Sequence, residues 1–306
     1  MLGARSRCFI AAAGLLLLAG SAQAGGSNQT WVASFGTDTG NCPQTAPCRT
    51  FRYAITKTPS LGVLSVIDSA DYGPVTITKS VSILAIGAEG AIFDGAPAAV
   101  TVNGTNIEVW LRGLTIDLFG LSQAGIVFTG GSALHIQDCT IRGTTYGIDF
   151  VPKGGASELY VSDSLITNTR THGIMVAPNS NGSVKAVFTR VHVENAGGHG
   201  FTFSGAGGGI NAVLNDSVAA GNHSNGINVQ GGAGSPVQVM VDRSASVGNT
   251  VRGVFANGAL VRIGDSTVTG NQTGLAVTGG GTIASYSSNK VNGNVNDGAP
   301  TTVSYK

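Results

Sequence analysis

The strongest constraint on the fold of this chain is a sequence repeat of about 26 residues. A glycine followed by an apolar residue returns at intervals of 22, 26, 27, 26, 27 and 21 residues, beginning at Gly125, Gly147, Gly173, Gly200, Gly226, Gly253 and Gly274. Each pair opens a run in which every second residue is apolar, as in GIDF, GIMV, GFTF and GINV. A period of two is that of a β-strand, whose successive side chains point to opposite faces. Units that cannot bury their apolar side alone stack into a solenoid.

Each repeat has room for about three short strands and no helix. Alternating segments such as LHIQD, LYVSD and VRIGD precede the glycine pairs, and short apolar steps such as CTI and STV lie between. A strand would pair with its copies in the units above and below, which gives parallel sheets with layers about 4.8 Å apart. The 47 glycines and the 11% of charged residues also argue against a helical protein. We predict an all-β fold: a single-stranded right-handed parallel β-helix with a short N-terminal capping helix.

Polar and small residues recur with the same period and predict internal ladders. Six asparagines are expected to stack at one corner and to hydrogen-bond to one another and to the turn backbone: Asn168, Asn195, Asn222, Asn249, Asn271 and Asn294. A second column suits an inward bend and predicts a buried, unreactive thiol at its first member: Cys139, Ser164, Val191, Ser217, Ser244, Ser266 and Asn289. A third column mixes charges of both signs and predicts an outward ion-pair ladder: Asp138, Asp163, Arg190, Asp216, Arg243 and Asp265.

The two ends of the chain depart from the repeat. Residues 1–24 have the basic start, apolar run and small residues of a secretory signal peptide, which predicts a secreted or periplasmic bacterial protein. Residues 25–60 are expected to form an N-terminal cap with a Cys42–Cys48 disulfide and a helix that begins after Thr50 and stops at Pro59. The β-helix would span 61–295, and 296–306 would cover the last coil.

The charge balance excludes some partners. Without the signal peptide, 15 basic residues face 16 acidic ones, and no basic stripe is present. Nucleic acid is therefore not an expected partner, and no later segment is apolar enough to insert into a membrane. We expect a monomer.

Segments along the whole mature chain resemble exported bacterial right-handed β-helix repeat proteins with the pectin-lyase-like fold. They include WVASFGTDTGNCPQTAPCRTFRYAITKT, VTITKSVSI, LHIQDCTIRG and VRIGDSTVTGN. The resemblance implies the fold. Its superfamily contains polysaccharide lyases, glycoside hydrolases, epimerases, tailspikes and adhesins, so the fold alone does not choose a function.

The Gly-His-Gly triplet at His199 matches one element of the polygalacturonase pattern. An inverting glycosidase also needs an acid and a base carboxylate on either side of the scissile bond. The chain has no Asp-Asp, no Asn-x-Asp upstream of His199 and no Arg-x-Lys downstream of it. The triplet also coincides with the repeat corner, where His172, Asn225 and Arg252 hold equivalent places. We therefore interpret His199 as part of the scaffold.

Two aspartates form the candidate metal site. Asp138 and Asp163 lie on adjacent coils, where two carboxylates could hold a cation, and Arg190 one coil further on could act as a base. A solvated pair beside an arginine is the other interpretation. The Arg-x-Pro-x-x-Arg pattern of pectate lyases is absent.

A row of aromatic residues forms the candidate glycan-binding site. Trp110, His135 and Tyr160 are 25 residues apart, hence in consecutive layers, and Arg112 and Gln137 follow two residues later on the same strands. Aromatic rings can stack on sugars, although the rings could instead stabilise the sheet. On the opposite strand set, Asp149, Met175, Thr202, Asn228 and Phe255 are expected to point outward.

These observations favour an exported β-helix protein of the envelope or extracellular space. We expect it to bind a polysaccharide or cell-surface glycan, or to have a structural role, without catalysis and without a required cofactor. The alternative is a polysaccharide lyase or glycoside hydrolase that acts on a uronate-containing polysaccharide, with Ca²⁺ as the ion of a lyase.

Overall fold

The described part of the chain is a parallel β-helix with three sheets. The computed structural model describes residues 28–95, 97–120, 124–179, 181–232 and 234–303. Within them, the strands form sheets of twelve, ten and nine strands, which we call A, B and C. All neighbouring strands within these sheets are parallel, and most lie one repeat apart. The predicted fold class is confirmed.

The chain visits the three sheets in the same order in each complete coil. Sheet A contains β1 (Gln29–Val32), β2 (Gly62–Val66), β5 (Val81–Leu84), β8 (Glu108–Arg112), β11 (Ala133–Gln137), β14 (Ala156–Ser162), β17 (Gly182–Thr189), β20 (Gly208–Asn215), β23 (Val237–Asp242), β26 (Leu260–Gly264), β29 (Thr282–Tyr286) and β31 (Thr301–Val303). Sheet B contains β3 (Ala70–Asp71), β6 (Gly90–Ile92), β9 (Leu114–Asp117), β12 (Thr140–Arg142), β15 (Leu165–Thr167), β18 (His192–Glu194), β21 (Val218–Ala220), β24 (Ala245–Val247), β27 (Thr267–Thr269) and β30 (Lys290–Val291). Sheet C contains β4 (Val75–Ile77), β7 (Ala98–Asn103), β10 (Ala124–Gly130), β13 (Ile148–Phe150), β16 (Ile174–Val176), β19 (Phe201–Ser204), β22 (Ile227–Gln230), β25 (Arg252–Asn257) and β28 (Thr273–Thr278).

The inward side chains of the three sheets form one continuous core. Phe128 stacks on Phe150 with ring centroids 4.3 Å apart, and Phe188 meets Phe201 and Phe203 edge-on at 5.5 and 5.9 Å. All five rings are fully buried. Burying one such side chain contributes roughly 1.5 to 3 kcal/mol. Because side chains fill the interior, any contact with a ligand falls to the outer faces.

A single left-handed residue makes the corner between sheets A and B in six consecutive coils. Its φ lies between 44° and 54° at Asp138, Asp163, Arg190, Asp216, Arg243 and Asp265. The next residue points inward, and serine hydroxyls accept hydrogen bonds from the backbone of the coil before: Ser217 from Val191 at 3.2 Å and Ser244 from Ser217 at 3.1 Å. Cys139 occupies the same column, buried as expected.

The asparagine ladder at the corner between sheets B and C is shorter than the sequence predicts. Four buried or half-buried asparagines form it, and the Oδ1 of each accepts a hydrogen bond from a backbone N–H of the preceding coil: Asn222, Asn249, Asn271 and Asn294. Asn168 and Asn195 are exposed and lie one position earlier, in register with Gly221. Their φ values of 52° and 55° explain the asparagine there, since asparagine tolerates the left-handed region. Placing these two in the ladder was wrong, and Thr169 and Ala196 hold the ladder positions.

The N-terminal segment contains the predicted disulfide and the predicted helix. Cys42 and Cys48 form the disulfide. Helix α1 (Phe51–Lys57) buries Phe51, Ala54 and Ile55, and the Thr50 side chain accepts a hydrogen bond from the backbone of Tyr53. The cap also contributes a strand, because β1 already belongs to sheet A and pairs with β2. The sheets therefore begin before residue 61. The predicted signal peptide lies outside the described residues.

The C-terminal segment closes two sheets in different ways. Residues Asn296 and Asp297 accept hydrogen bonds from Gly274 and Leu275 at the edge of sheet C. Strand β31 adds a twelfth strand to sheet A by pairing with β29. The segment assigned to a cap thus continues the sheet. Within the described residues, no helix is long and apolar enough to cross a membrane.

Candidate functional site

The aromatic row of sheet A is a continuous stack. Register places Trp110, His135 and Tyr160 in one column of β8, β11 and β14. The Trp110 and His135 rings are parallel with centroids 3.6 Å apart, and those of His135 and Tyr160 are 4.7 Å apart at 8°. The ring faces are thus directed along the helix axis, at one another, and the ring edges point to solvent. The three rings cannot act together as a flat platform for sugars.

Two carboxylates that sequence analysis missed hold the polar atoms of this stack. Glu108 Oε1 accepts from the indole N–H of Trp110 at 3.1 Å and lies 3.1 Å from His135 Nε2. Glu158 Oε2 accepts from the Tyr160 hydroxyl at 2.8 Å. The signal was available, because each glutamate lies two residues before its aromatic partner and hence on the same face of the strand.

These contacts set the ionisation of the stacked groups. Burial between two rings lowers the pKa of His135, against the attraction of Glu108. The hydrogen bond to Glu158 raises the pKa of Tyr160. At neutral pH, the stacked rings are therefore neutral. Both carboxylates have further lone pairs that can accept from sugar hydroxyls.

One ring face of the stack is open. Trp110 is the first aromatic residue of the column, and its side chain is 45% exposed. In the preceding layer the same column holds Ser82, a small residue that register places beside Trp110. The indole face turned away from His135 therefore lies on the side of this small residue. We call this the Trp110 face.

The flanking residues of the row differ in their contacts. Arg112 Nε donates to Asp138 at 3.0 Å, so its guanidinium is partly used within the protein. Gln137 lies on the same face in the next layer, in register with Arg112. The structure therefore places all five residues of the predicted glycan site on one sheet face, with Arg112 and Asp138 paired beside it.

Both aspartates of the candidate metal site form ion pairs with arginines. Asp138 pairs with Arg112, and Asp163 with Arg190, whose Nε lies 2.5 Å from Asp163 Oδ1. The Arg190 hydrogen bond lowers the pKa of Asp163. Among the described residues, no group of three or more His, Cys, Asp or Glu side chains could hold a metal ion. The arrangement corresponds to the ion-pair interpretation, and Arg243 with Asp216 repeats it at 3.1 Å.

His199 lies in a second column, at the edge of sheet C. His172 and His199 stack with centroids 5.0 Å apart, and Tyr146 meets His172 edge-on. Nδ1 of His172 accepts from the backbone N–H of His199 at 3.2 Å, and Nδ1 of His199 accepts from that of Asn225 at 3.1 Å. Each neutral ring therefore carries its proton on Nε2. Burial lowers the pKa of His199 to about 4.

The outward column of sheet C is largely covered. Thr202, Asn228 and Phe255 are buried, while Asp149 and Met175 are half-buried. All five point outward as expected, since the residues on either side of them in each strand belong to the buried core, and Phe255 is covered by a side chain of the neighbouring column: the Arg252 guanidinium lies 4.4 Å from its ring centroid.

Asp149 is the unusual ionisable group of this face. Its carboxylate makes no hydrogen bond or ion pair with the described residues, and burial raises its pKa. Buried polar atoms without a partner lie in the same columns, namely Thr202 Oγ1, Asn225 Oδ1 and Asn228 Nδ2. A perturbed carboxylate without a partner is a common property of functional sites.

Comparison with known proteins identifies the family. Residues 75–244 match the model of the family described as right handed beta helix region, which is more than half of the chain.

The chain belongs to the right-handed β-helix family.

Three solved structures resemble this right-handed β-helix protein in fold. A pectate lyase, Pel9A, is 15% identical, with a TM-score of 0.62 over 90% of this chain and 77% of the other. The A-module of the mannuronan C-5 epimerase AlgE6 of Azotobacter vinelandii is 17% identical, with a TM-score of 0.54 over 79% and 71%. A rhamnogalacturonan lyase is 13% identical, with a TM-score of 0.53 over 85% and 74%. No curated protein matches the sequence.

At these identities the likeness is one of fold. The outer faces of sheets A and C therefore have to be judged by their own residues. Sheet A carries the aromatic stack with its open Trp110 face. Sheet C carries Asp149 beside the histidine column.

Proposed function

We propose that this β-helix protein binds a glycan on sheet A, with one sugar ring stacked on the Trp110 face, and that it does so without catalysis. The observation that carries the proposal is the 45% exposed indole of Trp110, which ends an aromatic stack above the small residue Ser82. An indole offers a flat apolar face for the C–H face of a sugar.

The neighbouring residues support the same assignment. The His135 ring stacks on the other face of the indole, and Glu108 accepts a hydrogen bond from the indole N–H. The Trp110 ring is therefore already ordered before a ligand binds. Ordering in advance lowers the entropic cost of binding. The carboxylate oxygens of Glu108 and the amide of Gln137 supply hydrogen-bonding groups on the same sheet face.

We also propose that the protein works outside the cytoplasm as a monomer. The Cys42–Cys48 disulfide supports this location, because disulfides persist mainly in oxidising compartments. The structural neighbours named as lyases of pectate and rhamnogalacturonan support a glycan as the ligand class.

A glycan array with two matched variants tests the binding site. Trp110→Ala removes the exposed indole beside Ser82 and should weaken retention about tenfold or more, which corresponds to roughly 1.4 kcal/mol. Tyr160→Ala removes the ring at the other end of the stack, where register places the larger Val187 beside it, and should leave retention within about twofold of wild type. Melting temperatures of both variants monitor the shared loss of stacking.

The comparison of the two variants decides the outcome. Equal retention of the wild type and Trp110→Ala would contradict the proposal. Equal losses in both variants, accompanied by equal falls in melting temperature, would assign the stack to stability alone.

A second candidate function is a polysaccharide lyase with its site on sheet C. The observation that favours it is Asp149, a half-buried carboxylate without a partner among the described residues, whose raised pKa suits a general base. The protonated Nε2 atoms of His172 and His199 could donate to the carboxylate of a uronate.

Incubation with uronate polysaccharides, with and without Ca²⁺, tests the second candidate. A lyase produces unsaturated ends that absorb in the ultraviolet, and Asp149→Asn should abolish them while Asp163→Asn should not. Absence of such product in the wild type excludes a lyase on these substrates and leaves the binding proposal untouched.

A further inference from the structure

A cavity lies between the capping helix and the first strands of sheet C. It has a volume of about 400 Å³. Helix α1 contributes Arg52, Ile55 and Thr56 to one wall. The opposite wall comes from β4, β7 and the residues before them, with Thr76 and Thr101 in register on the outer face. This volume is within the range of small-molecule sites, about 300 to 1,000 Å³.

Three polar side chains of this cavity have no partner among the described residues. The Arg52 guanidinium makes no hydrogen bond or ion pair with the described residues, whereas Arg112, Arg142, Arg190 and Arg243 are all paired with aspartates. The hydroxyls of Thr76 and Thr101 likewise have no hydrogen-bond partner in the described part of the chain. None of the nine residues that line the cavity is acidic.

The remaining lining is apolar apart from Thr56, whose hydroxyl donates to the carbonyl oxygen of Tyr53. Ile55 and Val75 are buried side chains at the base, and Pro74 and Pro97 lie on either side. Proline rings lose little conformational freedom when a ligand packs on them. The cavity therefore combines one cation, two free hydroxyls and an apolar surface.

This combination matches a sugar acid better than other anions. A guanidinium forms paired hydrogen bonds with a carboxylate, the threonine hydroxyls match ring hydroxyls, and the apolar walls match the C–H face of a pyranose. One arginine does not neutralise the charge of a phosphate group, and phosphate has no apolar surface to pack against the proline and isoleucine side chains. Helix α1 contacts β4, the first strand of sheet C, and so closes this end of the sheet face.

We propose that this cavity binds one sugar-acid residue, with its carboxylate on Arg52 and its ring hydroxyls on Thr76 and Thr101. Because α1 closes the face at this end, the bound residue is a free sugar acid or the end of an acidic chain. The inference does not depend on the Trp110 face, since the cavity lies on another sheet.

Amide NMR titrations of the full mature protein with glucuronate, glucose and inorganic phosphate test the site. Glucuronate should shift the amide signals of Arg52, Thr76 and Thr101, and glucose at the same concentration should not. Arg52→Gln should weaken glucuronate binding at least tenfold. Lys153→Gln removes the same charge from an exposed position on a later coil and should have no effect.

Further variants separate charge from geometry. Arg52→Lys keeps the charge but loses the paired geometry, so it should bind more weakly than wild type and more tightly than Arg52→Gln. Thr101→Val keeps the shape and should weaken glucuronate binding several-fold. Circular dichroism confirms that each variant is folded.

Three results would overturn the proposal. They are no shift with glucuronate at the cavity, equal shifts with glucose, and tighter binding of phosphate than of glucuronate. Trp110→Ala should leave the glucuronate titration unchanged, so failure of the sheet A site and failure of this cavity are distinguishable.

Discussion

Asn249 is the central rung of the asparagine ladder and gives the sharpest test of the structure. Its side chain is buried, with 1% exposure. Its Oδ1 accepts from the backbone N–H of Asn222 at 3.1 Å and from the side-chain amide of Asn222 at 2.8 Å. Its own Nδ2 donates to Asn271 Oδ1 at 2.9 Å. Alanine at this position would interrupt the ladder on both sides.

The cost of Asn249→Ala follows from the groups left without a partner. The backbone N–H of Asn222 loses its acceptor, and its side-chain amide keeps only a 3.4 Å contact with the carbonyl of Val193. A buried polar group left unsatisfied costs about 1 to 3 kcal/mol. With two such groups, we expect a loss of about 2 to 5 kcal/mol in the free energy of unfolding.

Asn195→Gly is the matched control. Asn195 belongs to the same sequence pattern, but it is exposed, its φ is 55°, and its side chain makes no hydrogen bond with the described residues. Glycine adopts this conformation without strain, so the change should stay within about 0.5 kcal/mol.

Urea unfolding followed by circular dichroism measures both changes. We expect a lower midpoint for Asn249→Ala at an unchanged slope, and a midpoint close to wild type for Asn195→Gly. Similar losses of unfolding free energy in both variants would indicate that Asn195 also belongs to the ladder, and would refute the register described above. A loss below about 1 kcal/mol for Asn249→Ala would refute the calculation from unpaired groups.

Three further predictions concern the scaffold. Cys139→Ser should change the free energy of unfolding by less than about 1 kcal/mol, because serine continues the ladder that begins at Ser164. Burial raises the pKa of the native thiol to about 11, so it should react with a thiol reagent only after denaturation. Burial lowers the pKa of His199 from 6.5 to about 4, so the unfolded chain takes up a proton at a higher pH than the folded chain does. The free energy of unfolding should therefore fall as the pH drops from 6.5 to about 4. Urea midpoints measured over this range should fall less in His199→Asn than in the wild type. Reducing the Cys42–Cys48 disulfide should lower the free energy of unfolding by about 2 kcal/mol, and an unchanged urea midpoint in dithiothreitol would contradict this.

The amino-acid sequence by itself determined the solenoid and most of its register. Period-two alternation gives strands, and a repeat close to the length of one coil places Trp110, His135 and Tyr160 in one column. The capping helix was equally predictable, because Thr50 and Pro59 are local signals for its start and stop. Features of this kind depend on spacing along the chain, which the sequence states directly.

The tertiary structure alone decided what those columns do. At the corner of sheets B and C, asparagine suits both the left-handed position of Asn195 and the inward position of Asn222, so equal spacing does not tell the two roles apart. The direction of the Trp110 ring depends on its neighbours in the stack, and the free Arg52 depends on how α1 meets sheet C. Side-chain direction and pairing follow from packing in three dimensions between segments far apart in the chain, and a one-dimensional pattern contains neither.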